Sequence, residues 1–99
     1  MVKHIVMWAF KEEVSEDARK EAVVKIKEGL EGLVGVVPGL LKAEVIVQPL
    51  SSSSHDLCLI SELDSEESLK AYATNPDHVK VASVVRSVTC NRSCMDFEV

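Results

Sequence analysis

Aromatic residues are scarce: one tryptophan, one tyrosine and two phenylalanines in 99 residues. A core made by such a chain must draw on Val, Leu, Ile and Ala, and a chain of this length supports one modest core, so residues 1–99 are expected to form a single domain. A basic cluster is missing too. Residues 1–50 carry seven Lys/Arg against eight Asp/Glu and residues 51–99 four against eight, a formal charge of −5 weighted toward the second half. Without cationic groups gathered in one stretch or interleaved with aromatics, there is no footprint for nucleic acid or for an anionic membrane surface. No apolar run approaches the roughly 20 residues of a spanning helix. Met1-Val2-Lys3-His4 leads directly into a strand pattern and not into a signal peptide, so a soluble, cytoplasmic protein is expected.

Cysteine is limited to Cys58, Cys90 and Cys94, an odd number that does not suit a disulfide framework. Cys90 and Cys94 stand too far apart for the short two-cysteine turn of a zinc site and have no second pair, so reduced, buried thiols and no metal are expected. Gly29, Gly32 and Gly35 fall late in a helical pattern and follow no strand, which excludes a phosphate loop. No cofactor is expected.

Among the features that are present, a strand pattern comes first. Residues 3–10 are nearly continuously apolar, with His4, Val6, Trp8 and Phe10 on one face and Ile5, Met7 and Ala9 on the other. The first set, with its rings, is read as cavity lining and the second as packing under a helix. Ser15 is placed to cap an amphipathic helix whose apolar positions, from Ala18 to Val34, recur at three and four. Strands are predicted over 41–48 and 56–63, the latter turning Leu57, Leu59, Ser61 and Leu63 one way. Asp64 or Ser65 caps a second helix with an acidic first turn. A last strand is predicted over 93–99, with Cys94, Asp96 and Glu98 opposite Met95, Phe97 and Val99.

The stretch Tyr72 to Val79 interrupts the second helix. Asn75 precedes Pro76, and a residue before proline is pushed out of the α region while proline itself suits the first position of a new helix. One helix should therefore end near Thr74 and another begin with Asn75 as cap, Pro76 at its first position and His78 in its first turn. On an unbroken helix Tyr72 and His78, six residues apart, would face differently; a break lets both turn toward one cavity. The positive end of a helix disfavours imidazolium, which keeps His78 in the neutral form that acts as a base. Val79, Ala82, Val85 and Val88 are expected to form the buried stripe of the second piece.

The element order β-α-β-β-α-β defines an α+β, ferredoxin-like domain: an antiparallel four-stranded sheet with the helices on one face. The other face, assigned Val6, Trp8, Phe10, Leu57 and Leu59, would be too apolar to stay wet. Two copies packing sheet to sheet would bury it as a dimeric α+β barrel around a small-molecule cavity. The expected partners are thus a second copy, through the sheet face, and a small ligand.

The opening Val2-Lys3-His4-Ile5-Val6-x-Trp8-x-Phe10-Lys11 resembles the Dabb family, the stress-responsive α/β-barrel domain, as do the Val37-Pro38-Gly39-Leu40 turn and the strand Asp56 to Glu62. So do Tyr72-x3-Pro76-x-His78-Val79 and the closing Met95-Asp96-Phe97-Glu98. The resemblance implies a dimeric α+β barrel. The chain is also similar, at its polar positions, to plant cyclases of the olivetolic acid type. There the tyrosine and histidine matching Tyr72 and His78 carry an aldol-type cyclisation, and a first-strand histidine matches His4. Leu57 replaces a pocket histidine of those members, and Asn75 stands where histidine often precedes the proline, so the resemblance does not extend to their substrate.

Three functions follow as expectations. One is a small-molecule-binding barrel without an assigned reaction. A second is an acid/base enzyme on a small carbonyl compound, with His78 as base, Tyr72 as hydrogen-bond donor and His4 orienting the ligand against Val6, Trp8, Phe10, Leu57 and Leu59. The third is a cofactor-free, monooxygenase-like barrel.

Overall fold

The computed structural model describes all residues, 1–99. Its elements run β1 (Val2–Phe10), α1 (Glu16–Glu31), β2 (Leu40–Ile46), β3 (Leu57–Leu63), α2 (Glu66–Thr74), α3 (Pro76–Val88) and β4 (Thr89–Glu98). The strands form one sheet in the order β2-β3-β1-β4, and every neighbouring pair is antiparallel. No helix is long and apolar enough to cross a membrane.

The helices start where short polar side chains accept their first free N–H groups. Ser15 Oγ accepts from Ala18 N at 3.2 Å and Ser65 Oγ from Ser68 N at 3.1 Å. On α1 the buried residues Ala22, Ile26 and Leu30 recur every fourth position, a stripe that lies on the sheet. Between α1 and the edge strand β2, Glu31 accepts the Val45 N–H at 2.9 Å while Lys27 donates to the Val45 carbonyl at 2.8 Å. Those bonds occupy a free sheet edge that would otherwise invite another strand.

The two faces of the sheet are the reverse of the sequence expectation. Val2, His4, Val6 and Trp8 are buried, whereas Met7 is exposed. Leu57, Leu59, Ser61 and Leu63 share the covered side. Val6, Trp8, Leu57 and Leu59 therefore belong to the core beneath the helices and not to a face left for a partner. The open face instead carries Ile5, Met7, Ile60, Met95 and Phe97, brought together because Ile5 pairs with Ile60 and Met95, and Lys3 with Phe97. Alternation defines two faces but does not say which one the helices cover, and here both are apolar.

Three further expectations change. Strand β4 begins at Thr89 and not at Ser93, through an irregularity opposite Trp8. Val79 is 43% exposed, and the inward stripe of α3 runs through Val81, Ala82, Val85 and Val88 with His78 at its head. Cys58 and Cys90 are partly covered, but Cys94 is exposed.

The turn entering β2 tests the local account. Gly39 has φ +83°, and a Cβ there would collide with Ser68 and lie 2.9 Å from Asp64 Oδ1. Gly35 has φ +87° with nothing within 4 Å. Gly35→Ala should cost about 1 kcal/mol from the left-handed backbone alone, and Gly39→Ala about 2–4 kcal/mol once the clash is added. Urea unfolding of both variants checks the order; equal losses would contradict it.

Candidate functional site

Asn75 ends one helix and starts the next. Its N–H donates to the Tyr72 carbonyl at 3.2 Å, its φ and ψ of −61° and 130° leave the helix, and its side chain accepts from Asp77 N at 2.9 Å. Pro76 takes the first position of α3, where no backbone donor is needed. The two helices therefore meet at an angle a single helix would not allow. Tyr72, in the last turn of α2, and His78, in the first turn of α3, face each other with ring centroids 4.1 Å apart and planes inclined by 37°.

His4 joins them from β1. Its ring meets that of Tyr72 edge-on, at 5.9 Å and 71°. Two bonds hold it. The Asp96 carboxylate on β4 pairs with Nδ1, and the buried Ser61 hydroxyl donates to the His4 carbonyl at 2.9 Å. Cross-strand pairing sets both contacts, since His4 lies between Ser61 and Asp96 in the sheet.

These three side chains line one cavity of about 720 Å³ between the covered face of the sheet and helices α2 and α3. Its sheet side is His4, Val6, Trp8, Leu59, Cys94 and Asp96; Leu69, Tyr72, Ala73, His78, Ala82 and Val85 close it from the helices. The space lies within one protomer, not between two sheets as the sequence suggested. Of the residues expected to contact a ligand, Val6, Trp8 and Leu59 line it. Phe10 packs beneath the Arg19 guanidinium, 5.2 Å from the ring centroid, and Leu57 is buried core opposite Trp8. Arg86, Arg92, Lys70 and Glu66 also line it. Sequence reading missed this charged set because Glu66, Lys70 and Arg86 lie at polar positions of their helices and Arg92 falls before the expected start of the last strand.

The environment separates the proton chemistry of the pair. Burial pushes the Tyr72 hydroxyl up to about 12, so it stays a phenol and a donor. Burial also pushes His78 below its ordinary value, and the charges of His4, Arg86 and Arg92 add to the lowering while the Ala73 carbonyl opposes it. His78 Nδ1 is buried without a hydrogen-bond partner. The arrangement puts a neutral imidazole and a phenolic donor side by side, the components of base catalysis beside an oxyanion.

His4, Cys94 and Asp96 bring a ring nitrogen, a thiol sulfur and a carboxylate oxygen within 4.8 Å of one another. That donor set suits a borderline cation, but the His4–Asp96 pair satisfies both groups without one, and the Arg92 charge acts on Cys94 from alongside. Burial and the Asp96 charge push the Cys94 thiol up, away from a reactive thiolate.

The family profile of the Stress Responsive A/B Barrel Domain (Dabb) matches residues 2–99. The chain belongs to the Dabb family. Among solved structures it is similar to a dimeric protein of unknown function and ferredoxin-like fold from Bacteroides fragilis, at 28% identity and TM-score 0.92, over 99% of this chain and 95% of that one. A dimeric ferredoxin-like protein of unknown function from Thermobifida fusca matches at 21% and 0.82, over 99% and 90%. A hydroxynitrile lyase from Passiflora edulis shares the fold at 12% and 0.75, over 99% and 92%. No curated protein sequence matches. This Dabb chain thus has a site described by its own geometry.

The lowered proton affinity of His78 has a consequence for stability. Where the unfolded chain binds more protons than the folded one, stability rises with pH. The His78 contribution is complete above about pH 6.5, the ordinary histidine value, and is lost as pH falls from there toward the lower folded value. His78→Gln should flatten the pH dependence of the urea midpoint below about pH 6.5 relative to wild type; identical slopes would contradict the assignment.

Proposed function

We propose that the protein is a homodimer joined through its open sheet face and that each protomer's cavity binds a small carbonyl compound and moves a proton on the carbon beside the carbonyl. The observation that carries this reading is the close, tilted ring pair on the cavity wall, with His78 disposed to stay a neutral base and Tyr72 held as a phenol.

In the proposed step the His78 lone pair takes a proton from the α-carbon. The C–H electron pair becomes the new carbon–carbon π bond as the carbonyl π pair moves onto oxygen, giving an enolate. The Tyr72 hydroxyl donates a hydrogen bond to that oxygen, and the imidazolium later returns the proton to carbon. His4, fixed by Asp96, bounds the pocket on the sheet side and orients the ligand, whose apolar part lies on Val6, Trp8 and Leu59. The similarity to a hydroxynitrile lyase supports the capacity of the fold, not a shared reaction.

Proton exchange reads this chemistry directly. Wild type in deuterated water should replace the α-hydrogens of a bound ketone, followed by proton NMR. His78→Ala should slow exchange by about 10²–10⁴-fold and Tyr72→Phe by about 10²–10³-fold. A ketone that binds in the cavity but exchanges at the uncatalysed rate would overturn the base.

Two observations support the dimer. The open face carries an apolar patch of Ile5, Met7, Ile60, Met95 and Phe97 beside the charged Lys3, Glu44 and Glu62, with Met95 68% exposed in a single chain. The similar proteins from Bacteroides fragilis and Thermobifida fusca are described as dimeric. Ile60→Lys with Met95→Lys should shift the sedimentation mass from two chains to one while leaving helix content unchanged; an unshifted mass would move the interface elsewhere. Three free cysteines fit the reducing setting of the cytoplasm, where we place the protein.

A further inference from the structure

The irregularity in β4 determines the charge of the cavity. Thr89 pairs with Phe10 and Cys90 with Ala9, so strict alternation would turn Arg92 to the open face, opposite Met7. The register slips instead. Ser93 takes the place opposite Met7 and Cys94 that opposite Val6, leaving Asn91 and Arg92 together against Trp8. Asn91 takes φ 53°, a left-handed conformation that asparagine tolerates better than most residues. This is a bulge, a device that re-aims a side chain beside a site. It brings Arg92 to the covered face, where it lines the cavity with Arg86 of α3.

Neither guanidinium is in an ion pair, and Arg92 has only the Cys94 thiol beside it. The ion pairs of the chain are Lys3–Glu62, His4–Asp96 and Lys27–Glu31. Leaving the histidines aside, the lining holds three cations, Lys70, Arg86 and Arg92, against two carboxylates, Glu66 and Asp96. One positive charge is thus left over at the cavity of a chain whose net charge is −5. A concave site of opposite sign to the rest of the molecule draws anions in, and the planar fork of a guanidinium matches a carboxylate. The single excess charge suits a monoanion better than a phosphate.

We propose that the ligand is a straight-chain keto acid, bound with its carboxylate on Arg86 and Arg92, its carbonyl at Tyr72 and its α-carbon at His78. The class of compound rests on the carbonyl chemistry proposed above; the anion site rests on the bulge and the unpaired arginines. Arg86 and Arg92 are binding residues that hold one end of the ligand while the apolar lining, Val6, Leu30 and Leu59, holds the chain between.

Calorimetric titration with a series of straight-chain keto acids and their methyl esters tests this on wild type, Arg86→Gln, Arg92→Gln and Arg92→Lys. The acids should bind wild type about tenfold or more tightly than the esters, and each glutamine variant should weaken acid binding by about tenfold without changing ester binding. Arg92→Lys should recover only part of the loss, and acid affinity should fall with added salt. Thermal melts of the variants verify folding. If acids and esters bind alike and the arginine variants change nothing, the anion site is overturned, even where α-proton exchange continues to depend on His78. Acids that bind through both arginines without exchange support the anion site and remove the base. Binding of neither overturns the proposal.

Discussion

A proline has no N–H to give, and the residue before it cannot stay helical without strain; the site of this protein depends on that constraint at Asn75-Pro76. Asn75 receives the end of α2 through its N–H and starts α3 with its side chain, so a few residues hold two helices at a fixed angle. The angle turns His78, rather than Val79, toward the sheet. From that follow the contact with Tyr72, the burial that lowers the proton affinity of His78, and the cavity between α2, α3 and the sheet. Each of these would be lost if residues 72–79 ran on as one helix.

The sheet supplies a second fixed surface. Asp96 restrains the His4 imidazole at Nδ1, while Ser61, on the other side, holds the His4 backbone carbonyl. The imidazole stands edge-on to Tyr72, so helices and sheet meet through three rings. The two sheet faces differ in what they carry: the covered face lines the cavity with its polar groups, and the open face carries an apolar patch beside the Lys3–Glu62 pair.

Features set by local chemistry were legible before folding. Ser15 and Asn75 cap their helices, and Ser65, of the two candidates Asp64 and Ser65, caps α2, because short side-chain acceptors compete well for free N–H groups at those positions. The alternation of β3 put Leu57, Leu59, Ser61 and Leu63 on one side, as observed. Family membership and the ferredoxin-like order of elements were legible as well. The choice of covered face was not, because Ile5, Met7 and Ile60 are as apolar as Val6 and Leu59, so hydropathy favours neither side. Asn91 gave no warning either. No glycine marks the bulge that lets β4 begin at Thr89 and sets Asn91 and Arg92 together against Trp8.

The proposed function requires a carbonyl ligand inside one protomer, between Tyr72 and His78. A crystal structure with a keto acid bound measures it most directly. The ligand carbonyl oxygen is expected at about 2.6–3.2 Å from the Tyr72 hydroxyl and the α-carbon at about 3–3.5 Å from a His78 nitrogen, beneath α2 and α3. Density between the sheets of two protomers, against Met7 and Ile60 and remote from both rings, would contradict it.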